Sequence, residues 1–155
     1  MYRELVLKLS QGIPYVKPQP PCPEESIAAA EQAAGVPFPQ PLRDLLAEMN
    51  GDRWLLLSAQ EIAENVRLNR EALLPFFEEE YGAQGREIYW ERVGRFLFFA
   101  SNGCGDYYCY RFSPDAVPED TLYLWEHESI GESCCWKPAA RTLEELITRY
   151  YHNEI

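Results

Sequence analysis

The spacing of apolar residues changes period once along this chain and later changes back, and that order restricts the fold more than any single motif. Up to about residue 77 the apolar positions recur at helical intervals. Pro23 suits a first helical turn, and Glu24 and Glu25 complement the dipole. Ile27, Ala30 and Ala34 then share one side before Gly35 and Pro37 stop the run. Past Pro41, residues Leu42, Leu45, Leu46 and Met49 fall at i, i+3, i+4 and i+7, and Asn50-Gly51 closes that helix. A third helix is expected from about Ser58 to Phe77, with Ile62, Val66, Leu73 and Phe77 in rough phase and its end left open by Pro75. Short segments rich in aromatic and branched residues follow. Residues 87–93, 95–100, 106–112 and 121–127 read as strands. Ser101-Asn-Gly-Cys-Gly105 reads as a hairpin loop, Gly94-Arg95 as a tight turn, and residues 113–120 as a longer polar connection. A last helix opens on a Thr142/Glu145 capping box and carries Leu143, Leu146, Ile147 and Tyr150 on one face. Helices, then an antiparallel meander, then a closing helix point to an α+β fold rather than to βαβ units.

A chain of 155 residues fits one such domain. We expect residues 22–155 to form it. Residues 1–21 precede it as a short helix or strand, followed by a connector that Pro14, Pro18, Pro20 and Pro21 keep extended. Aromatic residues are plentiful, with 4 Trp, 10 Tyr and 7 Phe, which excludes a disordered chain. The charge is strongly acidic: 14 basic against 25 acidic residues give −11. Such a balance carries no footprint for nucleic acid or an anionic membrane, and it suits a basic partner. Residues 115–155 alone hold nine acidic residues against three basic ones. The longest apolar runs fall far short of the roughly 20 residues a spanning helix needs. The charged N-terminus is unlike a signal peptide, so a cytoplasmic location is expected. Five scattered Cys argue for reduced thiols rather than a disulfide framework.

Candidate chemistry is sparse. Gly103-Cys-Gly-Asp106 lacks the third glycine and the following helix of a phosphate cradle. Its glycines are expected to turn a hairpin whose backbone Asp106 bonds. The cysteines and His127 lack the paired spacing of a zinc site, so no metal and no cofactor is expected. Read as a strand end, residues 121–128 put Glu126 and Glu128 on one face and Tyr123, Trp125 and His127 on the other. The second set is either core or the aromatic edge of a binding groove. Asp52 and Trp54, just past the helix-ending Gly51, invite the same two readings.

The order of these segments resembles the SUKH superfamily, the group that includes the fungal Smi/Knr regulators of cell-wall synthesis. The resemblance is carried by Gly35-Val-Pro-Phe-Pro, by Leu42-Arg-Asp-Leu-Leu-Ala-Glu-Met-Asn-Gly51, by Phe98-Phe-Ala-Ser-Asn-Gly-Cys-Gly-Asp-Tyr-Tyr108 and by Leu124-Trp-Glu-His-Glu128. It implies helices packed beside a curved sheet and Gly35, Gly51, Gly103, Gly105 and Asp106 as structural positions. It also implies a binding protein without catalytic residues. Many bacterial members are similar to immunity proteins that neutralise a cognate toxin, often a nuclease, whereas fungal members resemble signalling scaffolds. Under that resemblance Asp52, Trp54, Tyr123, Trp125, Glu126, His127 and Glu128 are the candidate contacts with a basic toxin. The Pro-rich leader, the Cys content and the acidic Glu78-Glu-Glu80 tail of the third helix depart from the family pattern.

Overall fold

A computed structural model describes residues 1–155. The chain opens with α1 (Tyr2–Leu9), α2 (Glu24–Ala34), α3 (Gln40–Glu48) and the long α4 (Ala59–Tyr81). A tight turn and the short α5 (Gly85–Tyr89) follow, and a π turn over Trp90–Gly94 leads into the sheet. The strands are β1 (Phe96–Ser101), β2 (Tyr107–Phe112), β3 (Pro118–Trp125) and β4 (Trp136–Ala140), and α6 (Leu143–Tyr151) closes the chain. The sheet is antiparallel throughout in the order β1-β2-β3-β4, so this is the expected α+β architecture. No helix is long and apolar enough to cross a membrane.

Strand alternation splits the interior into two cores. On one face Leu97, Phe99, Tyr108, Tyr110, Phe112 and Leu122 meet the apolar sides of α2, α3 and α6 and the start of α4. Tyr2 and Val6 of α1 and Val16 of the proline-rich segment enter the same cluster, so residues 1–21 pack as part of this core. On the other face Phe96, Phe98, Cys109 and Trp125 meet Phe77, Tyr89 and Val93. Each fully buried large apolar side chain contributes about 1.5–3 kcal/mol. That gain carries α4 past Pro75, because Phe77 and Tyr81 beyond it pack into the second core.

The helix ends follow their local chemistry. The Ser58 hydroxyl accepts from Glu61 N at 3.1 Å and the Thr142 hydroxyl from Glu145 N at 3.1 Å. Gly35, at φ 78°, ends α2 in the left-handed conformation.

Three expectations are corrected. Residues 87–93 are α5 and the π turn, not a strand. Tyr89 and Val93 lie four apart, and both are buried on one side of a helical path. β4 was not expected, because Pro138 disfavours a strand; it sits on the sheet edge, where a missing donor is tolerated, opposite Tyr123. β3 begins at Pro118 and ends at Trp125, so His127 lies in a 3-10 turn (His127–Ser129) beyond the strand.

Candidate functional site

Three loops meet at the hairpin end of the sheet. The first follows α3. Its segment 55–57 pairs along the outer edge of β1, with Leu57 N donating to Phe99 O at 2.9 Å and Ser101 N to Leu55 O at 2.8 Å. Asp52 fixes this loop from within. It is fully buried, and its Oδ1 accepts from Trp54 N at 2.9 Å and Leu56 N at 2.8 Å. Burial pushes the Asp52 carboxyl up despite these lowering hydrogen bonds. Lys17 N and Gln19 N donate to the carbonyls of Asp52 and Gly51, which ties the proline-rich segment to the same loop. Arg53 takes φ 62°, a left-handed conformation uncommon for a residue with a Cβ. The turn ejects Trp54, which stays 45% exposed and lies against Tyr15, itself 53% exposed, at a ring separation of 4.4 Å.

The second and third loops are joined by Asp106. Its Oδ1 accepts from the His127 backbone N at 3.0 Å and from His127 Nδ1 at 2.7 Å. Asn102 Nδ2 reaches its other oxygen at 3.4 Å, and Asn102 N donates to Asp106 O at 3.2 Å. Partial burial raises the Asp106 carboxyl, but the His127 and Asn102 hydrogen bonds outweigh it and hold the group below its ordinary value. Asp106 therefore closes its own turn and also clamps the turn that follows β3. Gly105, at φ 94°, lies so close to His127 that a Cβ there would fall 2.9 Å from the ring. Glu126 sits 3.6 Å from Lys137, and Glu128 is exposed. Because the chain turns after Trp125, the strand alternation that would set Glu126 and Glu128 opposite His127 does not hold here. Glu61 and Glu64 border a shallow cleft of about 210 Å³ beside Ser101 and Tyr107.

The structure thus brings Trp54, Glu126, His127 and Glu128 to one end, with Asp52 and Asp106 beneath them. Tyr123 and Trp125 go elsewhere. Trp125 is buried in the second core, donating from Nε1 to Arg92 O at 2.7 Å, and the Tyr123 hydroxyl donates to Glu119 at 2.8 Å. A buried Trp125 and a buried Asp52 offer no surface to a partner; they are corrected from contacts to supports. Tyr15 was missed, since only its isolation among prolines marked it. All five thiols are free. Burial pushes Cys109 up and Cys135 up to about 11, away from the reactive thiolate. The groups presented are ring faces and carboxylates, which suit recognition.

The opposite end of the sheet differs. Where β1 begins, a groove of about 480 Å³ opens between the end of α2, the middle of α4, the π turn and the loop after β2. Arg70 and Arg95 stand on its lining, and neither was a candidate site residue in the sequence.

Helices on both faces of an antiparallel four-stranded sheet define an α+β fold. Residues 21–149 match the model of the SMI1 / KNR4 family (SUKH-1). This chain belongs to that family, and is an immunity-like or Smi/Knr-type protein. No curated protein matches the chain. Tyr15 lies outside the matched residues, so the Tyr15–Trp54 pair joins a family position to the leader.

Proposed function

We propose that this protein is a cytoplasmic, non-catalytic immunity protein that occludes a cognate basic toxin, nuclease-type in its chemistry, through the hairpin end of the sheet. The observation that carries the reading is that an exposed Trp54–Tyr15 pair and the carboxylates Glu126 and Glu128 all lie at that end of the sheet, in a chain of net charge −11. Aromatic anchors supply most of the affinity of a protein interface, and complementary charge speeds encounter. A nuclease must present a basic face to phosphate, and an acidic cap on that face blocks substrate directly. Membership of the SMI1 / KNR4 family supports a binding role. The alternative within the same family is a regulatory scaffold of the Smi/Knr type.

The test is capture against toxin domains encoded beside the gene. A stoichiometric complex that protects cells, with an association rate falling steeply with salt, is the expected result. Failure of every neighbouring toxin domain to bind, with an endogenous regulator captured through Trp54, would move the protein to the scaffold reading.

A further inference from the structure

The groove at the start of β1 has the makings of a second, separate site. Its apolar lining comes from Ala34 and Val36 past the end of α2, Val66 on α4, Phe96 and Leu97 on β1, and Phe112 on β2. At about 480 Å³ it falls within the roughly 300–1,000 Å³ of small-molecule sites. Its wall is pre-formed. In the π turn Arg95 N donates to Trp90 O at 3.1 Å, an i to i+5 bond. The Trp90 ring is seated on Gly94, where a Cβ would fall 2.3 Å from Cε3. π turns of this kind are frequent at functional sites.

The lining carries two cations, Arg70 and Arg95, in a strongly acidic chain. Arg43, Arg67, Arg111 and Arg149 each face a carboxylate. Arg70 and Arg95 face none within ion-pair distance, although the chain holds 25 acidic residues. The Arg70 guanidinium lies over the Trp90 ring, 5.6 Å from its centroid, which orients it at the groove. Guanidinium groups match carboxylates in shape and charge. Glu87 is the single carboxylate on the lining and opposes a dianion more than a monoanion.

We propose that this groove binds an amphipathic monocarboxylate, with its apolar tail on Val66, Leu97 and Phe112 and its carboxylate between Arg70 and Arg95. The site is independent of the partner taken by the hairpin end.

The experiment is calorimetric titration of the full chain with octanoate, 1-octanol and octyltrimethylammonium, followed in parallel by tryptophan fluorescence. Octanoate should bind saturably and at least tenfold more tightly than the alcohol, and the cation should be weakest. The pair Arg70→Gln and Arg95→Gln should remove that tenfold preference while leaving octanol affinity within threefold. Val66→Phe, which fills the groove and adds no charge, should weaken both. The fluorescence change should vanish in Trp90→Phe. Equal affinity for octanoate and octanol, an unchanged preference in the arginine variants, or no saturable octanoate binding would overturn the proposal.

Discussion

The two ends of the sheet are built from the same four strands, yet one projects and the other recedes. At the hairpin end, segment 55–57 pairs onto the edge of β1, and a buried carboxylate pushes Trp54 outward. At the opposite end β1 emerges from a π turn, and helices and loops stand back from it to leave a groove. The charges follow the shapes. Carboxylates of Glu126, Glu128, Glu61 and Glu64 surround the projecting end, while two arginines without carboxylate partners line the recess. A projecting aromatic with an acidic surround suits a large basic partner, and an apolar groove lined by unpaired cations suits a small anionic one. In this fold the treatment of the edge of β1 decides which kind of ligand each end can take.

The sharpest way to break the comparison is at Asp52. Asp52→Ala leaves the part-buried N–H of Trp54 and the buried N–H of Leu56 without their acceptor. The expected cost is about 3 kcal/mol, or about 6–12 °C in the unfolding midpoint for a domain of this size. Trp54 loses its fixed direction, so binding at the hairpin end goes with it. Octanoate affinity, measured well below the new midpoint, should stay within twofold. Thermal unfolding and calorimetry on the same sample check both halves, and a parallel loss at the groove would mean the two ends are coupled.

Trp54→Ala separates binding from stability. The side chain is nearly half exposed and lies against the similarly exposed Tyr15, so unfolding should shift by less than about 1 kcal/mol. As an anchor it should carry about 2 kcal/mol of partner affinity, a loss of roughly 30-fold. Surface plasmon resonance against the captured partner measures this. A loss below threefold would remove Trp54 from the interface.

How much of this was legible beforehand differs between the ends. Helices α2, α3 and α6 carried their own caps, stops and apolar faces, and the hairpin was marked by Gly103 and Gly105. Residues 87–93 misled because a short run of aromatic and branched residues has the same composition in a buried helix as in a strand. β4 was hidden by Pro138. At the hairpin end Trp54 and His127 stood out as residue types. Their exposure did not, because it depends on Asp52 being buried and on Asp106 reaching across to a loop 21 residues away. The groove was invisible, since its wall combines residues near 34, 66–70, 90–97 and 112–116, and no local pattern links them.

A third prediction tests charge at the hairpin end. Glu128 is exposed and Glu126 only loosely paired, so replacing both by Lys should leave the fold intact. Association with a basic partner should slow about tenfold at low salt and converge on wild type at high salt, while dissociation changes little. Stopped-flow across a salt series decides it. A rate independent of salt would place the acidic contact elsewhere.

The smallest effect sets the two carboxylates under the hairpin end against each other. Asp106 is held below its ordinary value by His127 and Asn102, despite partial burial. Its folded form prefers the ionised state, so its stabilising contribution is present above the ordinary carboxylate range and is lost as pH falls through the lowered value. Asp52 is raised by burial, so its folded form disfavours ionisation and its contribution declines as pH rises through the ordinary range toward the raised value. Titrations of groups not in contact with the substituted carboxylate are shared with each variant and cancel in the difference. The stability of wild type minus Asp106→Asn should therefore grow as pH rises from below the ordinary aspartate value, roughly 4, and level off just above it, and that of wild type minus Asp52→Asn should shrink as pH rises above that value. Asp106 is partly solvated, so its slope is the shallower, amounting to under about 1 kcal/mol across the window. Urea unfolding of the three proteins at half-unit pH steps reads both slopes. Two slopes of the same sign would mean that one carboxylate does not hold the charge state that its hydrogen bonds and burial assign to it.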